Sequence, residues 1–203
     1  MSKRRASRKD RCENCHIHYR LCFCELIKPF ATKTKVSLIL HANELNLTSN
    51  TGRLAHHLLS NSEILIRGAL ENKEEKLTLS SPENYKAYYL FPEEGAEILN
   101  EEFVSKQTGP IHLIVPDGSW RQAKKFKRRE EALEHLPSVV LPPGPPSSYF
   151  LRTEPMENFV CTLEAVARAL GILEGKEAQE HLENVLKVMV ERTLMARSGK
   201  HHL

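Results

Sequence analysis

The sequence predicts an α/β fold, a mostly parallel sheet flanked by helices, with a small zinc-binding module at its amino end. Three observations carry this. Short apolar runs rich in β-branched or aromatic residues alternate with segments of helical spacing, the pattern of strand–helix repeats. Two of those runs, Val36–His41 and Ile111–Pro116, are nearly continuous in apolar character, as strands buried on both faces are. Four of the five cysteines fall between Cys12 and Cys24.

In chain order, residues 1–30 form a basic arm and cysteine module closed by Pro29, and residues 31–203 form the main domain. In the arm, Lys3, Arg4, Arg5, Arg8, Lys9 and Arg11 are opposed only by Asp10. Cys12, Cys15, Cys22 and Cys24 follow, spaced C-x2-C-x6-C-x1-C. The first pair has the spacing of a knuckle turn that aims two thiolates at one ion. The second pair, alternating along an extended segment, leaves by one face. Four thiolates suit a closed, tetrahedral, structural Zn2+ site; disulfides or free thiols are the competing readings, and His16 and His18 are spare donors. Expected strands are Val36–His41, Glu63–Arg67, Ala87–Phe91, Ile111–Pro116 and Ser138–Leu141. Expected helices are Thr51–Ser60, Ser119–Leu136, Asn158–Leu170 with Gly171 as its stop, and Lys176–Met195, each with apolar residues on one side. Cys161 reads as a small buried hydrophobe. The patch Leu141-Pro-Pro-Gly-Pro-Pro146 reads as a rigid loop.

With 203 residues the chain has the size of one domain and a small appendage. No apolar run approaches the ~20 residues that span a bilayer, and no apolar segment follows the basic arm, so a soluble, cytoplasmic protein with no membrane partner is expected. Nothing demands an obligate protein partner; the oligomeric state stays open, with a monomer favoured. The formal net charge of +3 says little by itself. A second basic block, Arg121, Lys124, Lys125, Lys127, Arg128 and Arg129, joins the arm on a near-neutral body and suggests a polyanion footprint. A solvated helix face and a loose tail are the plainer alternative. Dinucleotide, P-loop, zincin and α/β-hydrolase motifs are all missing.

Ligands of parallel sheets bind beyond the carboxyl ends of strands. Three junctions qualify: Leu40-His41-Ala-Asn-Glu44 through Thr51-Gly52, Val115-Pro-Asp-Gly-Ser-Trp120, and Pro146 through Pro155. In the second, Asp117 stands at a strand tip, Gly118 frees the backbone, and Ser119 is placed to cap a helix. Asp117 is either an acid favoured by the helix dipole or a base or orienting carboxylate in a cleft. Trp120 is core or a stacking platform. Arg152 either pairs with Glu154 or awaits a carboxylate or phosphate. His41 reads as a structural histidine.

Taken in order, Cys12…Cys24, His41…Glu44…Thr51-Gly52, Asp117-Gly-Ser-Trp120, Ser148-Tyr-Phe-Leu-Arg152 and Cys161-Thr-Leu-Glu-Ala165 resemble the DTW-domain family, the tRNA-uridine aminocarboxypropyltransferases. The resemblance runs from about residue 12 to 190. Ser119 stands where the family name implies Thr and keeps the hydroxyl. The resemblance implies a SPOUT-like fold with a trefoil knot, and transfer of the 3-amino-3-carboxypropyl group from S-adenosylmethionine to N3 of a tRNA uridine, leaving methylthioadenosine. It casts Asp117 as the base, Trp120 beside the site or on the uracil, and Arg152 against the methionyl carboxylate or a phosphate. Leu40, His41, Thr51, Pro116, Gly118, Ser119, Leu151, Thr162 and Leu163 would surround the cofactor. Arg121, Lys124, Lys125 and Arg128 would hold tRNA. A SPOUT-type methyltransferase, a transferase acting on ribosomal RNA, and a non-catalytic zinc-containing RNA-binding protein are the rivals.

Overall fold

A computed structural model describes residues 10–45, 47–68, 76–151 and 160–200. Six parallel strands form one sheet: β1 (Lys35–His41), β2 (Ser62–Arg67), β3 (Lys86–Leu90), β4 (Glu97–Ile98), β5 (Ile111–Asp117) and β6 (Ser138–Val140), in the order β2-β1-β5-β3-β6-β4. Every strand therefore points its carboxyl end the same way. From β1 the chain moves on to β2 at one edge, while from β5 it moves to β6 on the other side. The loops leaving β1 and β5 part, which opens a crevice above the middle of the sheet.

The helices are α1 (Thr51–His57), α2 (Glu101–Ser105), α3 (Trp120–Arg129), α4 (Glu131–Glu134), α5 (Thr162–Leu173) and α6 (Lys176–Arg197). Period-2 alternation divides the strands between two cores. Val36, Leu38, Leu40, Leu113 and Val115 face α1, α5 and α6, whereas Ile39, Tyr89 and Ile114 face Ala123 and Phe126 of α3 and Leu133 of α4. The cysteine module joins the larger core: Ile17, Leu21 and Phe23 are buried in it. Among the described residues no helix is long and apolar enough to cross a membrane.

The expected strands are all present within a residue or so at each end. Helices depart more. α1 stops at His57 because Phe30 pairs beside Leu59, its amide donating to Leu58 O at 2.8 Å. The expected helix over 119–136 is two helices, broken at Glu130, whose backbone turns extended (φ −95°, ψ 111°) and whose carboxylate meets Arg67 Nε at 3.1 Å. α5 starts at Thr162, capped by Cys161, and Asn158 lies outside the described residues. Gly171 does not stop it. The helix runs on to Leu173, and the left-handed position is Gly175, with φ 107°, where a side chain would be strained. Too short and polar to show a period, β4 and α2 went unpredicted. The segment around Cys22 and Cys24 is not extended either: short 3-10 turns, Tyr19–Leu21 and Cys24–Leu26, bracket Cys22 and Phe23.

Candidate active site

A cavity of about 490 Å3 opens beyond the carboxyl ends of β5, β3 and β6. That is within the usual size range for small-molecule sites, roughly 300–1,000 Å3. Strand pairing explains its position. The β3 ladder ends at Tyr89 and Ile114, so Pro116, which has no N–H to offer, lies past the last pair on that side. Leu90, Phe91 and Pro92 form one wall, the Leu141–Pro146 loop a second, and Thr162, Ala165 and Arg168 of α5 a third. Trp120 stands at the mouth, 36% exposed, its ring 5.4 Å from that of Phe91.

Asp117 is the central polar group. It is buried, and it lines the cavity where the amino ends of α1 and α5 converge. Asn50 Nδ2 donates to Asp117 Oδ2 at 2.7 Å, and Thr162 Oγ1 donates to Oδ1 at 2.5 Å. Asn50 also caps α1, accepting from Arg53 N at 2.6 Å. Gly52 lets α1 approach this closely; a Cβ there would lie 2.7 Å from Asp117 Oδ2. The carboxylate thus fixes two helices relative to β5 while keeping an edge on the cavity.

Glu164 performs the same service for the neighbouring loop. Its oxygens accept from Ser147 Oγ at 2.5 Å, Ser148 N at 2.7 Å, Ser148 Oγ at 3.0 Å and Cys161 N at 3.0 Å. Burial pushes its carboxyl up, but the donors at Ser147, Cys161 and Ser148 outweigh burial and hold it below the usual carboxylate range. A depressed carboxyl contributes stability that is present above its unfolded value, about 4.3, and lost as pH falls through the folded value. Glu164→Gln should therefore destabilise the protein by about 2 kcal/mol at pH 7. Denaturant titrations should find that gap closing as pH falls through the depressed folded value, below which the wild-type carboxyl is itself protonated. A gap that persists undiminished would mean the charge is irrelevant.

Of the residues singled out in the sequence, Asp117, Trp120, Thr51, Pro116, Gly118 and Thr162 line the cavity together. Leu40, His41, Ser119, Leu151 and Leu163 are not on its lining; Leu40, Leu151 and Leu163 are buried in the larger core. The His41 ring accepts from Asn43 N at 3.3 Å and packs against Phe126. Ser119 is occupied as the cap of α3, in a box with Gln122. Gly118 is not left-handed; its merit is room, since a Cβ would lie 2.9 Å from Gln122 Oε1. Arg152 lies outside the described residues. The sequence reading gave no part in the site to the wall after β3, the proline loop or Arg168, and it placed Glu44, Ser49 and Tyr149 in its junctions without a role of their own. The rule about carboxyl ends of strands, applied to β3 and β6 as well, points to the first two. Tyr149 Oη donates to Ser49 O at 2.7 Å, and Arg168 Nη2 to Pro145 O at 2.8 Å, so both brace loops of the cavity.

Arg121, Lys124, Lys125 and Arg128 are all exposed on α3, and their spacing of three and four residues puts them on one face. Lys127, off that stripe, is engaged with Glu93 and Ser138. The four sulfur atoms of Cys12, Cys15, Cys22 and Cys24 lie within 4.8 Å of one another, and all four residues are free thiols. Contacts of 3.5 Å for Cys12–Cys24, 3.6 Å for Cys22–Cys12 and 3.8 Å for Cys15–Cys22 compare with about 3.8 Å across a tetrahedral Zn–S4 centre. The donor set fits a metal ion. Burial pushes the Cys15 and Cys24 thiols up, whereas at Cys12 the amides of Cys15 and Asn14 and the neighbouring thiols outweigh burial and bring it down to about 7; binding a metal would require the others to lose their protons.

Comparison with known proteins places this geometry in context. The tRNA-uridine aminocarboxypropyltransferase 2 of Macaca fascicularis is 28% identical, the match covering 98% of this chain and 70% of that protein. The tRNA-uridine aminocarboxypropyltransferase A of Arabidopsis thaliana is also 28% identical, over 90% of this chain and 80% of its own. Among solved structures, the SAM-dependent rRNA:acp-transferase Tsr3 from Vulcanisaeta distributa aligns with a TM-score of 0.49 at 14% identity, over 82% of this chain and 80% of that one. The DTW domain family model matches residues 9–194, which include the cysteine cluster, Asp117-Gly-Ser-Trp120 and both helices that Asp117 ties together. The chain belongs to the DTW-domain family.

Proposed function

We propose that this protein transfers the 3-amino-3-carboxypropyl group of S-adenosylmethionine to N3 of a uridine in tRNA, in the cytoplasm, releasing methylthioadenosine. The observation that carries this reading is a cavity of cofactor size with a buried carboxylate on its wall and a basic helix leading from its mouth. The names of the relatives supply the substrate class. Among the described residues the lining carries two carboxylates, Glu44 and Asp117, against one guanidinium, Arg168. That balance suits a cation. Bound there, S-adenosylmethionine supplies a carbon already activated by its sulfonium.

The chain has three tasks. Apolar walls at Leu90, Phe91 and the proline loop exclude water and leave few poses, so the gain is positional. Trp120, half in and half out, offers a ring for the uracil to stack on. Asp117 lies where it can accept the weakly acidic N3 proton or orient the base that loses it. Uridine N3 is reached only when the nucleotide is unpaired or turned outward. Phosphates on either side then meet Arg121, Lys124, Lys125 and Arg128. The cysteine module holds zinc, with a structural role.

Incubation with unmodified tRNA and S-adenosylmethionine, followed by mass spectrometry of the nucleosides and of the sulfur by-product, tests the reading. Aminocarboxypropyluridine with methylthioadenosine is the expected pair; S-adenosylhomocysteine would instead reveal methyl transfer. The basic stripe makes its own prediction. Reversing Lys124, Lys125 and Arg128 to Glu should weaken tRNA binding at least tenfold, lower the salt dependence of what remains, and leave cofactor affinity unchanged. Filter binding over a range of salt measures this, and wild-type affinity in the variant would remove α3 from the interface.

A further inference from the structure

Arg53 links the cysteine module to the residues around the cavity. Arg53 lies in the first turn of α1, and its guanidinium reaches back to the knuckle. One terminal nitrogen donates to His16 Nε2. Arg53 and Cys15 line the same crevice of about 10 Å3, room for one water at most. Cys15, Cys12 and Cys24 are all within electrostatic reach of the guanidinium, and its Nε is buried with no hydrogen-bond partner among the described residues. His16, directly after Cys15, takes a left-handed φ of 59°, which aims its ring at Arg53.

The backbone of Arg53 points the other way. Its amide donates to Asn50, and Asn50 donates to Asp117 on the cavity wall. A path of direct contacts therefore runs from His16, the neighbour of Cys15, to Asp117. Four thiolates around one divalent ion leave two negative charges in excess. Beside them the buried guanidinium has a counter-charge. The knuckle that carries His16 would be held in place by that ion, so without it the contact that anchors the guanidinium is lost and Arg53 is left a half-buried cation short of partners, a costly arrangement.

We propose that Arg53 is a positioning residue that couples metal occupancy of the cysteine site to cofactor binding, by holding the amino end of α1 and hence Asn50 and Asp117. The inference rests on the reading above that the cavity holds S-adenosylmethionine. Coupling is reciprocal: whatever factor the metal adds to cofactor affinity, the cofactor adds to metal affinity.

The test uses the zinc-loaded full chain. Zinc affinity is measured by competition with a colorimetric chelator, with and without saturating S-adenosylmethionine, and cofactor affinity by calorimetry. The expected result is about tenfold tighter zinc with cofactor present in the wild type, no such gain in Arg53→Met, and partial return in Arg53→Lys. Arg53→Met should also weaken the cofactor while zinc is still bound. Equal zinc affinity with and without cofactor, in a wild type that binds the cofactor, overturns the coupling and leaves the proposed function standing. Full coupling retained in Arg53→Met overturns the part given to this residue. A wild type that binds zinc but no cofactor defeats the proposed function, and the coupling with it. The wild-type measurement stands even if the methionine variant does not fold.

Discussion

Replacing Asp117 with asparagine should cut turnover about a thousandfold while the protein stays folded, in the range found when a general acid or base is removed. The substitution keeps the shape and removes the charge. An asparagine oxygen still accepts from Asn50, and its amide can donate to Thr162 Oγ1, so the tie between α1 and α5 survives. Circular dichroism and the melting temperature should change little, and calorimetry should find the cofactor still bound. Gly52→Ala reaches the same carboxylate from the other side, since its Cβ would arrive 2.7 Å from Oδ2. It should lower turnover and cofactor affinity together, because it displaces the helix as well as the acid. Near-normal turnover in Asp117→Asn would place the base elsewhere.

Removing the zinc proposed for the cysteine site should lower the melting temperature by about 10–35 °C. Among its described residues the module has little regular structure to sustain it: two short 3-10 turns, Tyr19–Leu21 and Cys24–Leu26, and a bridge between Arg11 and His18. Segments this small need a metal or cross-link to stay folded. Yet Ile17, Leu21 and Phe23 from this module are buried in the larger core. Exposing them forfeits roughly 1.5–3 kcal/mol each, and in a protein of this size each kcal/mol moves the melting temperature by about 2–4 °C. Thermal scans with a chelator, and again after zinc is restored, measure the effect. Cys15→Ser, at a buried ligand position, should reproduce it. An unchanged melting temperature after proven metal loss would make the cluster four ordinary thiols.

The centre of the sheet was legible because β1 and β5 are buried on both faces, so Val36–Leu40 and Ile111–Val115 carry an apolar run that few other structures need. Their flanking helices were legible in position and less so in extent. Nothing in the periodicity marks Glu130 as a break, because the decision is tertiary: its carboxylate turns toward Arg67 on β2. Gly171 misled for the related reason that a glycine inside a packed helix looks like one at its end. Asp117, Thr162 and Trp120 were legible through motif order. Their partners were not. Asn50 and Glu164 are chemically unremarkable in a sequence; only the fold reveals that the Asp117 set closes over 45 and 67 residues and the Glu164 set over 16 and 17. The proline loop was read as rigid without being given a wall to form.

The cationic stripe on α3 begins where the cavity ends. From Trp120 to Arg128 the axis advances about 12 Å, at 1.5 Å per residue. On the function proposed above, a strand gripped along that line would meet the pocket at a set stride from its anchored phosphates, and the helix would work as a gauge. One residue inserted after Trp120 would swing the charges by about 100° and carry them away from the strand, with every side chain still present.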